Sequence, residues 1–90
     1  MRPELFYTDQ IAYAAFIYYA KRYEGGDPSP VKDVRESPGT GRIYWGFADR
    51  DDCLSLVSRY RTRRMRVEPN DFHTAMNRVK EYKYANRNDG

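Results

Sequence analysis

Residues Thr8 to Tyr23 read TDQIAYAAFIYYAKRY, and this stretch decides the fold. From Ile11 to Ala20 it carries no charge and holds three of the chain's nine tyrosines. A helix that is apolar on every side has no face suited to water and belongs inside a protein. It is too short for a membrane, which needs about 20 apolar residues. We therefore expect a central core helix. Thr8 or Asp9 would cap its first turn with a side-chain oxygen. Tyr13, Phe16, Ile17, Ala20 and Tyr23 recur at helical spacing and form the expected core stripe. Ile11, Tyr18 and Tyr19 lie off that stripe and call for a second contact, either another layer of the core or a partner subunit. Lys21 and Arg22 suit the negative end of the helix dipole, and Gly25-Gly26 can end it with a positive φ.

Outward from this helix, Leu5–Tyr7 reads as a short strand that runs straight into it. On the other side, residues 25–41 are rich in glycine and proline. Val31–Glu36 within them reads as an edge strand whose start Pro28 and Pro30 protect from pairing. Ser37-Pro38-Gly39-Thr40-Gly41 is a turn. Arg42–Ala48 is the clearest strand, with Ile43, Trp45 and Phe47 on one face and Tyr44 and Gly46 on the other. The two segments should form a hairpin. Asp49, Asp51 and Asp52 then open a second helix with the stripe Cys53, Leu56, Val57 and Tyr60. Arg61 to Val67 fits either a continued helix or an extended segment. Pro69 marks a boundary. Asn70 or Asp71 begins a last helix along Phe72, Ala75, Met76, Val79 and Tyr82, and Asn86–Gly90 is a polar tail expected to fray. The order strand, helix, hairpin, helix, helix predicts a single α+β domain, a small antiparallel sheet packed by three helices.

The Thr8-Asp9 opening with its alanine-rich apolar helix, the aromatic strand Ile43–Phe47, and Val67-x-Pro69-x-x-Phe72-x-x-Ala75 resemble a family of small phage and bacterial proteins of unknown function. The resemblance implies a compact α+β domain of phage or mobile-element origin. It implies no activity, catalytic residue, cofactor or ligand. The segment Gly25–Gly41 is longer here than in that family.

Ninety residues leave room for one core only. Cys53 is the single cysteine, so no disulfide can form within the chain, and the N-terminus has no signal-type apolar region. These features lead us to expect a soluble, cytoplasmic protein with no membrane contact. Net charge is +3, and arginine exceeds lysine by twelve to four. Five of those arginines fall within Arg59-Tyr60-Arg61-Thr62-Arg63-Arg64-Met65-Arg66. As a helix, Arg59, Arg63 and Arg66 would share a face; extended, Arg59, Arg61 and Arg63 would. Either ridge could follow a phosphate backbone while Tyr60 stacks on a base. An acidic protein surface is a second possible partner for it. The bland alternative is a solvated face neutralised by Asp49, Asp51, Asp52 and Glu68.

Those acids are also the only candidates for a magnesium site, although capping the second helix explains the aspartates. Cys53 lies in an apolar stripe and His73 at a helix start, so neither a thiol nucleophile with its base nor a zinc site is expected. The Ser37–Arg42 turn lacks the Gly-Lys-Ser/Thr ending of a phosphate loop. The resulting expectation is a non-enzymatic binding protein without cofactor or metal. It would contact nucleic acid or a nucleoprotein through Arg59, Tyr60, Arg61, Arg63, Arg64 and Arg66 and modulate a host system. The alternative is a protein-protein or homo-oligomer module on Ile11, Tyr18 and Tyr19, with Trp45.

Overall fold

The computed structural model describes residues 4–87. The order is β1 (Phe6–Thr8), α1 (Ile11–Tyr19) continued by a π-turn (Ala20–Glu24), β2 (Val31–Glu36), β3 (Ile43–Phe47), α2 (Arg50–Arg61) and α3 (Pro69–Arg87). This is the expected α+β arrangement. The sheet order is β1-β3-β2, antiparallel throughout. β1 therefore pairs not with the strand that follows it but with β3, setting Phe6, Tyr7 and Thr8 opposite Phe47, Gly46 and Trp45. The result is a split β-α-β unit closed by the β2–β3 hairpin. A register irregularity between Val31 and Asp33 keeps Val31 in the core while turning Asp33 outward. The expected tail is outside the described residues from 88 onward, and residues 86 and 87 belong to α3.

Ile43, Trp45 and Phe47 point inward as their alternation requires, and each is at most 3% exposed. They meet α1 and α3 in one apolar cluster with Phe16, Ile17, Ala75 and Val79. Full burial of each large apolar side chain among them contributes about 1.5–3 kcal/mol. The Trp45 indole N–H, dry in this core, donates to the Val79 carbonyl at 3.0 Å and ties the sheet to mid-α3. On the opposite face, the Tyr7 ring lies over Gly46 and its hydroxyl donates to Asp33 at 2.6 Å. Arg35 completes this cluster, 2.8 Å from Asp33 and with its guanidinium 4.8 Å from the centre of the Tyr7 ring.

The central helix departs from its expected stripe in two ways. Ala14 to Ala20 are buried without interruption, so the helix is enclosed on all sides and has no single core face. Tyr18 and Tyr19 sit at 6% and 7% exposure among the protein's own core residues, and Ile11 is half-buried against the same cluster. Tyr23, expected in the core, is 38% exposed. The cause is the π-turn, in which the Gly25 amide bonds back to Ala20 at 2.8 Å. An i→i−5 bond adds a residue to the turn, so everything after Ala20 falls out of α-helical phase. Gly26 then takes a φ of 74°, and the Asp27 amide closes the end on Lys21.

The cap of α1 also differs. Thr8 is committed to β1 opposite Trp45, and Asp9 pairs with Arg42 at 2.7 Å. The N-cap falls one residue later, on Gln10, whose side chain makes no capping bond; the Thr8 hydroxyl accepts the Gln10 amide instead.

Candidate nucleic-acid interface at the C-terminus of α2

Helix α2 separates charge along its length. Asp49 accepts the Asp52 amide as N-cap, and Asp51 and Asp52 occupy the first turn. Arg59 and Arg61 occupy the last. Seven to twelve positions at 1.5 Å each put these groups about 10–18 Å apart along the axis. Both ends are arranged as the helix dipole favours. Separations of about a Debye length or more leave the aspartates only weakly felt by the arginines. Asp52 instead binds Lys21 at 2.9 Å. Glu68, the fourth acid considered, accepts the Asp71 amide at 2.7 Å and caps α3, with Pro69 as its first residue. Among the described residues, no group of three or more His, Cys, Asp or Glu side chains is placed to hold a metal ion.

The arginine segment is neither a helical ridge nor a strand. α2 stops at Arg61, and the Arg64 amide bonds to the Arg59 carbonyl at 2.9 Å while the Arg63 amide bonds to Tyr60 at 3.2 Å. This six-to-one and five-to-two pair is a Schellman closure. It requires a left-handed residue at its fifth position, where glycine is usual. Here that residue is Arg63, with φ of 60°. Beyond it, Met65 and Val67 pack partly buried on the core, and Arg64 and Arg66, each just before one of them, are exposed. The far end is anchored by the Glu68 amide, which donates to the Tyr19 hydroxyl at 3.0 Å.

The five arginines accordingly divide. Arg59 is half-buried, its guanidinium 5.6 Å from the Phe16 ring centre and 3.7 Å from Glu24. It belongs to the fold more than to a surface. Arg61, Arg63, Arg64 and Arg66 are exposed and join no ion pair among the described residues. Tyr60, expected to stack on a base, is turned inward: its ring lies edge-on to Tyr13 at 5.5 Å and against Phe16 at 5.9 Å. Its place in the apolar stripe of α2 outweighs its neighbourhood of arginines.

The single thiol is enclosed. Cys53 is fully buried, donates to the Ala48 carbonyl at 3.3 Å, and has its pKa pushed up to about 11 by burial. His73 is exposed near the start of α3. Among the described residues, no helix is long and apolar enough to cross a membrane. Comparison with protein families, with characterised proteins and with solved structures finds no match.

Proposed function

We propose that this chain is a small non-enzymatic binding protein that contacts nucleic acid, free or within a nucleoprotein, through Arg61, Arg63, Arg64 and Arg66. One observation carries this. Four exposed guanidinium groups stand within six residues, while Asp49 and Glu68 cap helices and Asp52 pairs with Lys21. Unneutralised arginines held on a short anchored loop suit phosphate oxygens, which guanidinium meets in bidentate fashion. Contacts of this kind are sequence-independent and salt-dependent, because each releases condensed counterions.

The test is retention of single- and double-stranded nucleic acid across a salt series. Replacing Arg61, Arg63 and Arg64 by Ala should lower the slope of log affinity against log salt by about 0.9 per lost duplex contact, up to about 3. An unchanged slope refutes the proposal. The resemblance to small phage and bacterial proteins adds that the target belongs to a host machine, which capture from the native host would address. The alternative of an oligomer built on Tyr18 and Tyr19 has less support, because more than nine-tenths of each is already covered by the chain's own core.

A further inference from the structure

A cleft of about 450 Å³ opens between the π-turn and α3, within the roughly 300–1,000 Å³ of small-ligand sites. α3 contributes Arg78, Glu81 and Tyr82 from one helix face, and the other wall is Tyr18, Arg22 and Tyr23. A regular α-helix would bring Tyr18 and Arg22 together and carry Tyr23 away. The extra residue in the π-turn brings Tyr23, five positions on, round to the same side.

Tyr18 is the informative member. The residue is 94% covered, yet its hydroxyl bonds to no described residue, and no fully enclosed side-chain oxygen among the described residues lacks a partner. Among the described residues nothing covers this oxygen with a bond, and Tyr18 lines the cleft. Burial raises its pKa, so it stays a proton donor at neutral pH. Arg22 lies 5.4 Å from the centre of the Tyr23 ring and joins no ion pair among the described residues. Arg78 is shared with Glu81 at 3.3 Å. The cleft thus combines two guanidinium groups and one carboxylate with the Tyr18 hydroxyl donor and two partly accessible rings, Tyr23 and Tyr82.

The geometry points to a seat for one unpaired nucleotide, its base against Tyr23 and Tyr82 and its phosphate held by Arg22, Arg78 and the Tyr18 hydroxyl. Rings accept any base face, and guanidinium with a hydroxyl donor suits a phosphate. The inference deepens the nucleic-acid proposal above and rests on it. Tyr19 connects the two places: its ring is 5.5 Å from Tyr23, and its hydroxyl holds the end of the arginine loop. On this inference a single strand held by the loop places one unstacked nucleotide in the cleft, which a stacked duplex does not offer.

The test uses the full chain with two fluorescent probes, a short oligothymidylate and a blunt duplex, followed by anisotropy. Tyr18→Phe removes only the hydroxyl, and Arg78→Gln changes an exposed position; circular dichroism melts confirm that both remain folded. Each should weaken oligothymidylate binding about tenfold, the scale of a lost hydrogen bond to a charged group, and leave duplex binding unchanged. Replacing Arg61, Arg63 and Arg64 by Ala should weaken both probes. If the cleft variants bind oligothymidylate as the wild type does, the cleft inference is overturned and the loop proposal stands. If the loop variant keeps its duplex affinity while the cleft variants lose the single strand, the loop proposal fails and the cleft survives. Failure of the wild type to bind either probe overturns both.

Discussion

Replacing Arg63 by glycine should make the fold more stable and the binding weaker. Arg63 holds a φ of 60° to close the Schellman turn on Arg59 and Tyr60. A side chain with a Cβ loses about 1–2 kcal/mol in this region. Glycine removes that strain, but its freer unfolded chain takes back about 0.4–1 kcal/mol. The net gain is about 0.5–1 kcal/mol. Unfolding entropy near 2.1 cal/mol/K per residue amounts to about 0.19 kcal/mol/K for a chain of this length, so Tm should rise by about 3–5 °C. The control is Arg63→Ala, which deletes the same charge and keeps the Cβ; it should melt within a few tenths of a kcal/mol of the wild type. Urea and thermal melts followed by circular dichroism give the stabilities. Salt titration of nucleic-acid binding should show the same loss for both variants, about one phosphate contact. If glycine proves no more stable than alanine, residue 63 is not left-handed and the described end of α2 is wrong. If neither variant changes binding, Arg63 does not contact phosphate.

Three further outcomes test the packing around the site. In Gly46→Ala the new Cβ would stand 2.7 Å from Tyr7 Cε1, against a ring whose hydroxyl is fixed to Asp33; a loss of about 1–3 kcal/mol is expected. Tyr7→Ser should remove most of that penalty, and strict additivity of the two changes would rule the clash out. The Tyr7 hydroxyl and then the Arg35 guanidinium hold the Asp33 carboxyl below its ordinary pKa. Its contribution to stability is therefore complete above the unfolded value near 3.9 and is lost as pH falls through the lower folded value. Acid unfolding of Asp33→Asn should be flatter than the wild type below about pH 4, and parallel curves would contradict this. Cys53, with its pKa near 11 and no exposure, should react with iodoacetamide at neutral pH only as fast as the protein opens. Rapid labelling of folded protein would disprove its burial.

Where hydrophobic period alone sets structure, the chain was legible from its residues. The β2–β3 hairpin, the inward Ile43-Trp45-Phe47 row and the α+β order all follow from local alternation and turn residues. Tyr23 was misplaced because a π-turn leaves no sequence mark: the extra residue shifts phase only after the helix has packed. Tyr60 was legible twice, as part of an apolar stripe and as part of an arginine run, and core packing decided between the two. The arginine loop required knowing that residue 63 can take a left-handed conformation without being glycine, which nothing in the sequence signals. The cleft had no local signature at all. Tyr18 and Tyr82 meet only because α1 and α3 lie together, and Arg22 and Arg78 look like ordinary solvated cations until the chain is folded.

The pairing of β1 with β3 has a kinetic consequence. Phe6 reaches Phe47 only after α1 and the whole hairpin lie between them, so β1 closes a far longer loop than the Ser37–Gly41 turn does. Closure entropy must be met before such a contact returns any stability. With three residues and one neighbour, β1 is expected to add last in folding and to detach first from the native state. Each detachment bares one edge of β3 beside Phe47, a template for another chain. Hydrogen exchange should find the bonded amides of β1 opening well before those of the hairpin. The N-terminal strand would then act as a latch, and how long it stays shut would set how readily this protein aggregates.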